Sequence, residues 1–167
     1  KELNLVNLTK FNYKGLADSL VSDEYAVSYC GYYIGVIRAK EEDKRGQELR
    51  RNQQRLFAHL ESQSQCFIVK RGTVMENAGV YHEKGVDVGL AVDLLVGAYE
   101  NTYDKALVVS SDTDLIPAIR KVRMLKREVE YIGFAHRPSL GLQKYASRSR
   151  LLILEELKKF EQPFLII

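Results

Sequence analysis

Histidine and cysteine are scarce in this sequence of 167 residues, with three of the first and two of the second. Cys30 and Cys66 lie far apart, with no His or Cys partner at metal-ligand spacing. That argues against a thiolate metal site and against a disulfide framework. They read as buried free thiols of a reducing, cytoplasmic compartment. No apolar run reaches membrane-spanning length, and the first residues do not form a signal peptide, so no membrane partner is expected. Neither internal repeats nor low-complexity tracts occur. No Gly-rich phosphate fingerprint follows the first recognisable strand, which argues against a dinucleotide-binding protein. Charge of one sign is not in excess either. Lys and Arg number 25 against 22 Asp and Glu, a net charge of +3. That mild basicity is compatible with a polyanion partner without requiring one.

What is present is ordinary globular composition, 46% hydrophobic and 28% charged, long enough for a real core. Leu8, Phe11, Leu16 and Leu20 have loosely helical spacing, which predicts a helix in the second half of residues 1–20. Asp18 and Asp23 fall on its solvated side or in the next turn. Residues 25–37 are rich in Tyr, Val and Ile and read as a strand. Its tyrosines suit core and sheet-edge packing better than base stacking. An amphipathic helix is expected over residues 46–62, with Arg50, Arg51 and Arg55 on a solvated face. A strand at 65–74 and a loop or small hairpin around Asn77-Ala78-Gly79 follow.

Residues 84–114 organise the rest. Residues 85–100 read as a helix that is apolar almost all round, a pattern that calls for burial. Yet it carries Asp87 and Asp93. Residues 105–110 form a short continuous apolar run, as in a parallel strand covered on both faces. That run ends in Ser110, Ser111, Asp112, Thr113 and Asp114. With Asp114 as N-cap, Pro117 falls in the first turn of a helix over 115–127, whose outer sides carry Arg120 and Lys121. A strand over 128–134, a polar turn at His136-Arg137-Pro138-Ser139, a helix over 140–147 and a last strand and helix over 151–160 complete the pattern. Strand and helix alternate as in a doubly wound α/β sandwich with a mainly parallel sheet.

In such folds ligands bind beyond the carboxyl ends of parallel strands. There Asp87, Asp112 and Asp114 can be brought together. Oxygen-only ligands without His or Cys suit a hard cation, Mg²⁺ or Mn²⁺. Clustered carboxylates repel one another, and a divalent ion is their natural counter-charge. Such a site supports in-line displacement at phosphorus. Ser110 and Ser111 would donate to the groups that hold the ion or contact phosphate, and Lys84 with the basic helix would attract a nucleic-acid backbone. Each piece has a plainer reading: Asp112 or Asp114 as a helix cap, Asp87 as a first-turn dipole partner, Asp93 as a locally bonded acid. Together in one strand-end neighbourhood they favour a metal site.

At these residues a family resemblance appears. Lys84-Gly85-Val86-Asp87-Val88, then Asp93-Leu94-Leu95, then Ser110-Ser111-Asp112-Thr113-Asp114-Leu115-Ile116-Pro117 resemble the NYN domain, LabA-like branch, of the PIN-like nuclease superfamily. Its motifs are K-G-x-D-V at a helix start and S-[GS]-D-x-D-[FL]-x-P at a strand end. His136-Arg137-Pro138-Ser139-x-x-Leu142 resembles the segment after its last core strand. The resemblance implies a three-layer α/β/α Rossmann-like (PIN-like) sandwich, one domain over 1–167. It implies Mg²⁺ or Mn²⁺ and RNA cleavage, with Asp87, Asp112 and Asp114 as catalytic and metal positions and Asp93 as a weaker metal candidate. Lys84, Ser110, Ser111, Arg120 and Lys121 are the expected RNA-binding residues. The family's opening strand, ending in D-G-x-N, has no counterpart in this sequence. Residues 5–20 align with the segment that follows it, or else Thr9-Lys10-Phe11-Asn12 stands opposite the motif with Thr in place of Asp. The alternative function is a non-catalytic module that binds RNA or a protein partner. The apolar tail 162–167 suits packing on the core, a second copy or a partner, and a homodimer is one expected assembly.

Overall fold

A computed structural model describes residues 8–77 and 80–161, with the backbone alone over 73–84. The elements occur in the order α1 (Tyr13–Leu20), β1 (Gly31–Gly35), α2 (Lys44–Leu60), β2 (Ile68–Asn77), β3 (Val80–Lys84), α3 (Val86–Tyr99), β4 (Lys105–Val109), α4 (Ile116–Met124), β5 (Glu128–Phe134), α5 (Leu140–Tyr145), β6 (Arg148–Leu152) and α6 (Leu154–Lys158). They group into two compact units. One runs through Val86 and resumes at Glu155; the other is Asp87–Leu154.

In the first unit β1 pairs with β2 in parallel, Gly31 opposite Ile68 and Gly35 opposite Gly72. β2 turns into β3 as an antiparallel hairpin, Thr73 opposite Lys84. The hairpin expected near Asn77 is therefore present, while its tip, Ala78-Gly79, lies outside the described residues. Helix α2 covers the sheet with Phe57 and Leu60, which pack with Val69. Its buried Gln53 clamps the end of β1. The Gln53 amide donates to the Gly35 carbonyl at 2.8 Å, and its oxygen accepts the Ile37 N–H at 2.8 Å. A buried amide with both ends bonded fixes geometry at little cost. Asn12 caps α1 by accepting the Gly15 N–H at 2.8 Å.

Two expectations are corrected here. The strand expected over 25–37 is only five residues long, because β1 finds its described ladder with β2 over Gly31–Gly35 alone. Tyr29 upstream is half exposed, whereas Tyr32 packs against the α2 core. The cysteines are free but not both buried: Cys30 is half-buried and Cys66 exposed. Cys66 lies in the turn from α2 to β2 at φ +56, with its Sγ turned to the Gln63 carbonyl at 2.9 Å.

The second unit is built on a fully parallel sheet, β4-β5-β6. Lys105 stands opposite Glu128, and Glu130 opposite Arg148. Its core joins Leu94 and Ala98 of α3, Val108 of β4, Ile119 and Val122 of α4, Val129 and Tyr131 of β5, and Leu142 of α5. Parallel strands joined through helices give the alternation read from the sequence. Lys105 and Glu130 form a largely buried ion pair on this sheet.

Two further expectations fail in part. Helix α3 buries Leu94, Gly97 and Ala98, but Val88, Val92 and Val96, spaced four apart, form an exposed stripe, with Val88 at 65%. Strand β4 is not covered along its whole length either: Val108 is buried and Val109 is 54% exposed. Among the described residues the ladder partner of β4 is β5. No described helix is long and apolar enough to cross a membrane.

Candidate metal and nucleic-acid site

The second unit brings the carboxyl end of β4 to the first turn of α3. The chain leaves β4 at Val109 and passes Ser110 and Ser111. It then enters a 3-10 turn, Thr113–Leu115, that leads directly into α4. Asp112 caps that turn, accepting the Asp114 N–H on Oδ1 at 2.8 Å. Its own N–H donates to Ser110 Oγ at 3.1 Å. The cap is thus Asp112 and not Asp114. The extra 3-10 turn pushes the helix start to Ile116, where no side chain caps it and Pro117 occupies the first turn. Pro117 needs no N–H partner there, as expected. Gly141 of α5 lies over this turn. A Cβ at residue 141 would be 3.1 Å from Thr113 Cγ2 and 3.2 Å from Ile116 Cδ1, so a bare glycine lets α5 brace the acidic turn.

Asp87 lies in the first turn of α3, close enough to Asp112 and Asp114 for their charges to act on its carboxyl group. The group is exposed, and slight desolvation together with the negative charges of Asp112 and Asp114 raises its pKa above the ordinary carboxylate value. Neighbouring acids bind a proton or a cation in preference to ionising fully. The donor set is all oxygen. Mg²⁺ is commonly held by one or two carboxylates with waters and substrate phosphates completing its shell, and this pair fits that pattern. Among the described residues no group of three His, Cys, Asp or Glu side chains is arranged to enclose an ion.

The other residues singled out in the sequence fall elsewhere. Asp93 follows Asp87 by six residues on α3. That is about 9 Å along the axis and about a third of a turn away, so it does not join the pair. Ser110 and Ser111 adjoin the acids. Arg120 and Lys121 are exposed on α4, with the Arg120 guanidinium 5.7 Å from the centre of the Tyr145 ring. Lys84 ends β3, and its side chain lies outside the described residues.

One feature escaped the sequence reading. Beside the acidic turn a cleft of about 360 Å³ opens between the ends of β4 and β5, lined by Ser110, Ser111, Gly133, Phe134 and Arg137 among others. Its floor is Tyr131, only 1% exposed. The Tyr131 hydroxyl accepts the Ser139 N–H at 2.9 Å. The turn bearing Arg137 is held at two more points: the Ala135 N–H donates to Leu152 O at 2.9 Å, and the Arg137 N–H to Phe134 O at 3.0 Å. The signal for this was the polar turn after the strand at 128–134. It read as a connection because nothing local marks it as facing β4.

Parallel strands with connecting helices, and paired acids beyond a strand's carboxyl end, define a Rossmann-like α/β fold of the PIN-like kind. The chain belongs to the NYN domain family, whose model matches residues 3–152, and NYN domains are part of the PIN-like nuclease superfamily. Nucleases of that superfamily generally depend on a divalent metal. The crystal structure of a protein of unknown function from Vibrio parahaemolyticus is similar to this chain. The TM-score is 0.60 at 19% identity, covering 85% of this chain and 78% of that one. At that identity the likeness concerns the fold alone. No curated protein matches the sequence.

Proposed function

We propose that this chain is a metal-dependent ribonuclease of the LabA-like branch, hydrolysing RNA phosphodiester bonds at Asp87, Asp112 and Asp114. The observation that carries the reading is the placement of Asp87, in the first turn of α3, near Asp112 and Asp114, in the turn after β4, close enough that both raise the Asp87 pKa. Asp87 and Asp112 would hold Mg²⁺ or Mn²⁺, and Asp114 would add negative potential or a water-mediated contact. When bound, the ion supplies counter-charge to the acids and Lewis acidity toward the phosphate and the attacking water. Ser110 and Ser111 offer hydroxyl donors to phosphate oxygens. Arg120 and Lys121 contribute positive potential toward the RNA backbone. Asp93 is not part of this assignment.

A second reading, a non-catalytic module that binds RNA or a protein partner, is favoured by one observation. No three described acidic, His or Cys side chains are set to enclose an ion. Mn²⁺ calorimetry on the wild type and on Asp112→Asn, followed by cleavage of single-stranded RNA with and without EDTA, separates the two. Binding and EDTA-sensitive cleavage that the variant loses support the nuclease. Cleavage that survives both EDTA and the substitution overturns it. RNA binding without metal uptake or turnover favours the module. No observation among the described residues supports a homodimer.

A further inference from the structure

We infer that the cleft between the ends of β4 and β5 is the subsite for the nucleotide next to the scissile bond, with Arg137 taking its phosphate and Phe134 its base. This deepens the ribonuclease reading and rests on it. The volume, about 360 Å³, is in the range of small-ligand pockets. Its chemistry is that of a nucleotide. Arg137 supplies a planar cation matched to phosphate oxygens, and Ser110 and Ser111 supply hydroxyl donors beside it. Phe134 and Gly133 supply an apolar wall, and aromatic faces bind unstacked bases without reading sequence. No acidic side chain is among the lining residues. The cleft also adjoins the acids covalently and by hydrogen bond: Ser110 lines it, and Ser110 Oγ accepts the Asp112 N–H. A strand of RNA whose scissile phosphate is at the Asp87–Asp112 pair therefore has its neighbouring nucleotide over Ser111.

The arginine is also positioned. Gly133 has no Cβ because the Tyr131 ring crosses beneath it; a Cβ there would be 2.3 Å from the Tyr131 hydroxyl oxygen. That crossing delivers the hydroxyl to the Ser139 N–H and anchors the turn carrying Arg137 at the rim. A tyrosine under the arginine-bearing turn holds the backbone from which Arg137 projects, which lowers the ordering cost of binding phosphate.

The test is fluorescence anisotropy of a labelled single-stranded oligouridine over a series of salt concentrations, with Ca²⁺ present. Wild type, Arg137→Ala and Phe134→Ala are compared, and Mn²⁺ calorimetry is run on each. Arg137→Ala is expected to bind about tenfold more weakly, and its log-log salt slope to fall by about 0.7, one single-strand phosphate contact. Phe134→Ala is expected to lose affinity by about tenfold with the slope retained. Both should take up Mn²⁺ as the wild type does. Arg137 is exposed, so its variant keeps the fold. Wild-type affinity and slope in Arg137→Ala overturn this subsite while leaving the acidic site standing on its calorimetry. A wild-type chain that takes up Mn²⁺ and binds no RNA overturns both.

Discussion

Tyr131 and Gly133 offer a quantitative test of how the Arg137 turn is held. Tyr131→Phe keeps the ring in the core and removes one atom. The Ser139 N–H then loses an acceptor at 2.9 Å. Ser139 is half-buried, so water regains part of the interaction, and the cost is about 1–2 kcal/mol and not the full penalty of an orphaned donor. For a chain of this length that is a fall in Tm of roughly 2–8 °C. Gly133→Ala acts on the same contact from the other side. Its Cβ would lie 2.3 Å from the Tyr131 hydroxyl oxygen and 2.6 Å from Cζ, and Tyr131 cannot yield while its hydroxyl is bonded and its ring buried. Overpacking of that kind costs about 1–3 kcal/mol. In the double variant the nearest overlap is gone and the hydroxyl is already lost, so the two costs share a term. Urea unfolding of the four proteins should give a coupling energy of about 0.5–2 kcal/mol. Strict additivity, or a Tyr131→Phe variant that melts with the wild type, refutes the account of the anchored turn.

The Asp87 carboxyl group should titrate above the ordinary aspartate range. Its folded pKa is raised, so between the unfolded and folded values the native state holds a proton that the unfolded chain has released. Its contribution to stability therefore falls as pH rises through the folded value. Mn²⁺ affinity should weaken as pH falls through that same value, since the ligand must be deprotonated. A carboxyl ¹³C NMR titration reads the midpoint directly, and an ordinary midpoint would sink the paired-acid description. The Lys105–Glu130 pair, largely buried, should behave asymmetrically. Lys105→Met alone should cost about 3 kcal/mol by leaving a charge without its partner, and adding Glu130→Leu should recover much of it. Equal destabilisation by the single and double variants, measured in urea, would contradict this.

Local pattern carried the elements of the second unit well. The apolar run ending in Ser110-Ser111 is β4 with its two serines just past the end, and the helical spacing of Ile119 and Val122 is the buried side of α4. These are short-range regularities, and periodicity reports them directly. What periodicity does not report is which neighbours cover an element. Helix α3 is apolar all round, so its sequence could not distinguish the buried Leu94 and Ala98 from the exposed Val88 and Val92. The tyrosine-rich stretch before β1 has strand composition along its whole length, but a strand exists only where a ladder partner stands opposite. Asp114 looked like the cap because a proline followed three residues later. The intervening 3-10 turn, which moved the cap to Asp112, is one residue pair of backbone geometry that composition does not encode. The acids were legible because their types and spacing are unusual for an apolar neighbourhood. The cleft beside them was not, because Ser111, Phe134 and Arg137 meet only after β4 and β5 pair.

The capping and metal-binding roles of Asp112 are not rival explanations, and substitution can tell them apart. Its Oδ1 accepts the Asp114 N–H, which fixes the carboxylate plane at the end of β4. The same carboxylate acts on the Asp87 pKa, so the cap aims what the cation would bind. Asn caps as well as Asp does, whereas Ala does not cap at all. Asp112→Asn should therefore keep the turn and its stability while removing one negative charge from the pair. Asp112→Ala should lose the charge and about 1 kcal/mol of stability together. If the acid serves the cation, both variants lose Mn²⁺ binding although only the alanine melts earlier. The Asp87 midpoint should also fall in the asparagine variant, because a repelling neighbour has become neutral and can donate a hydrogen bond. If Asp112 is a cap and nothing more, Mn²⁺ affinity tracks stability: asparagine binds as the wild type does, and only alanine binds less. Calorimetry and thermal melts on these two variants thus divide the same side chain into its structural and its electrostatic part.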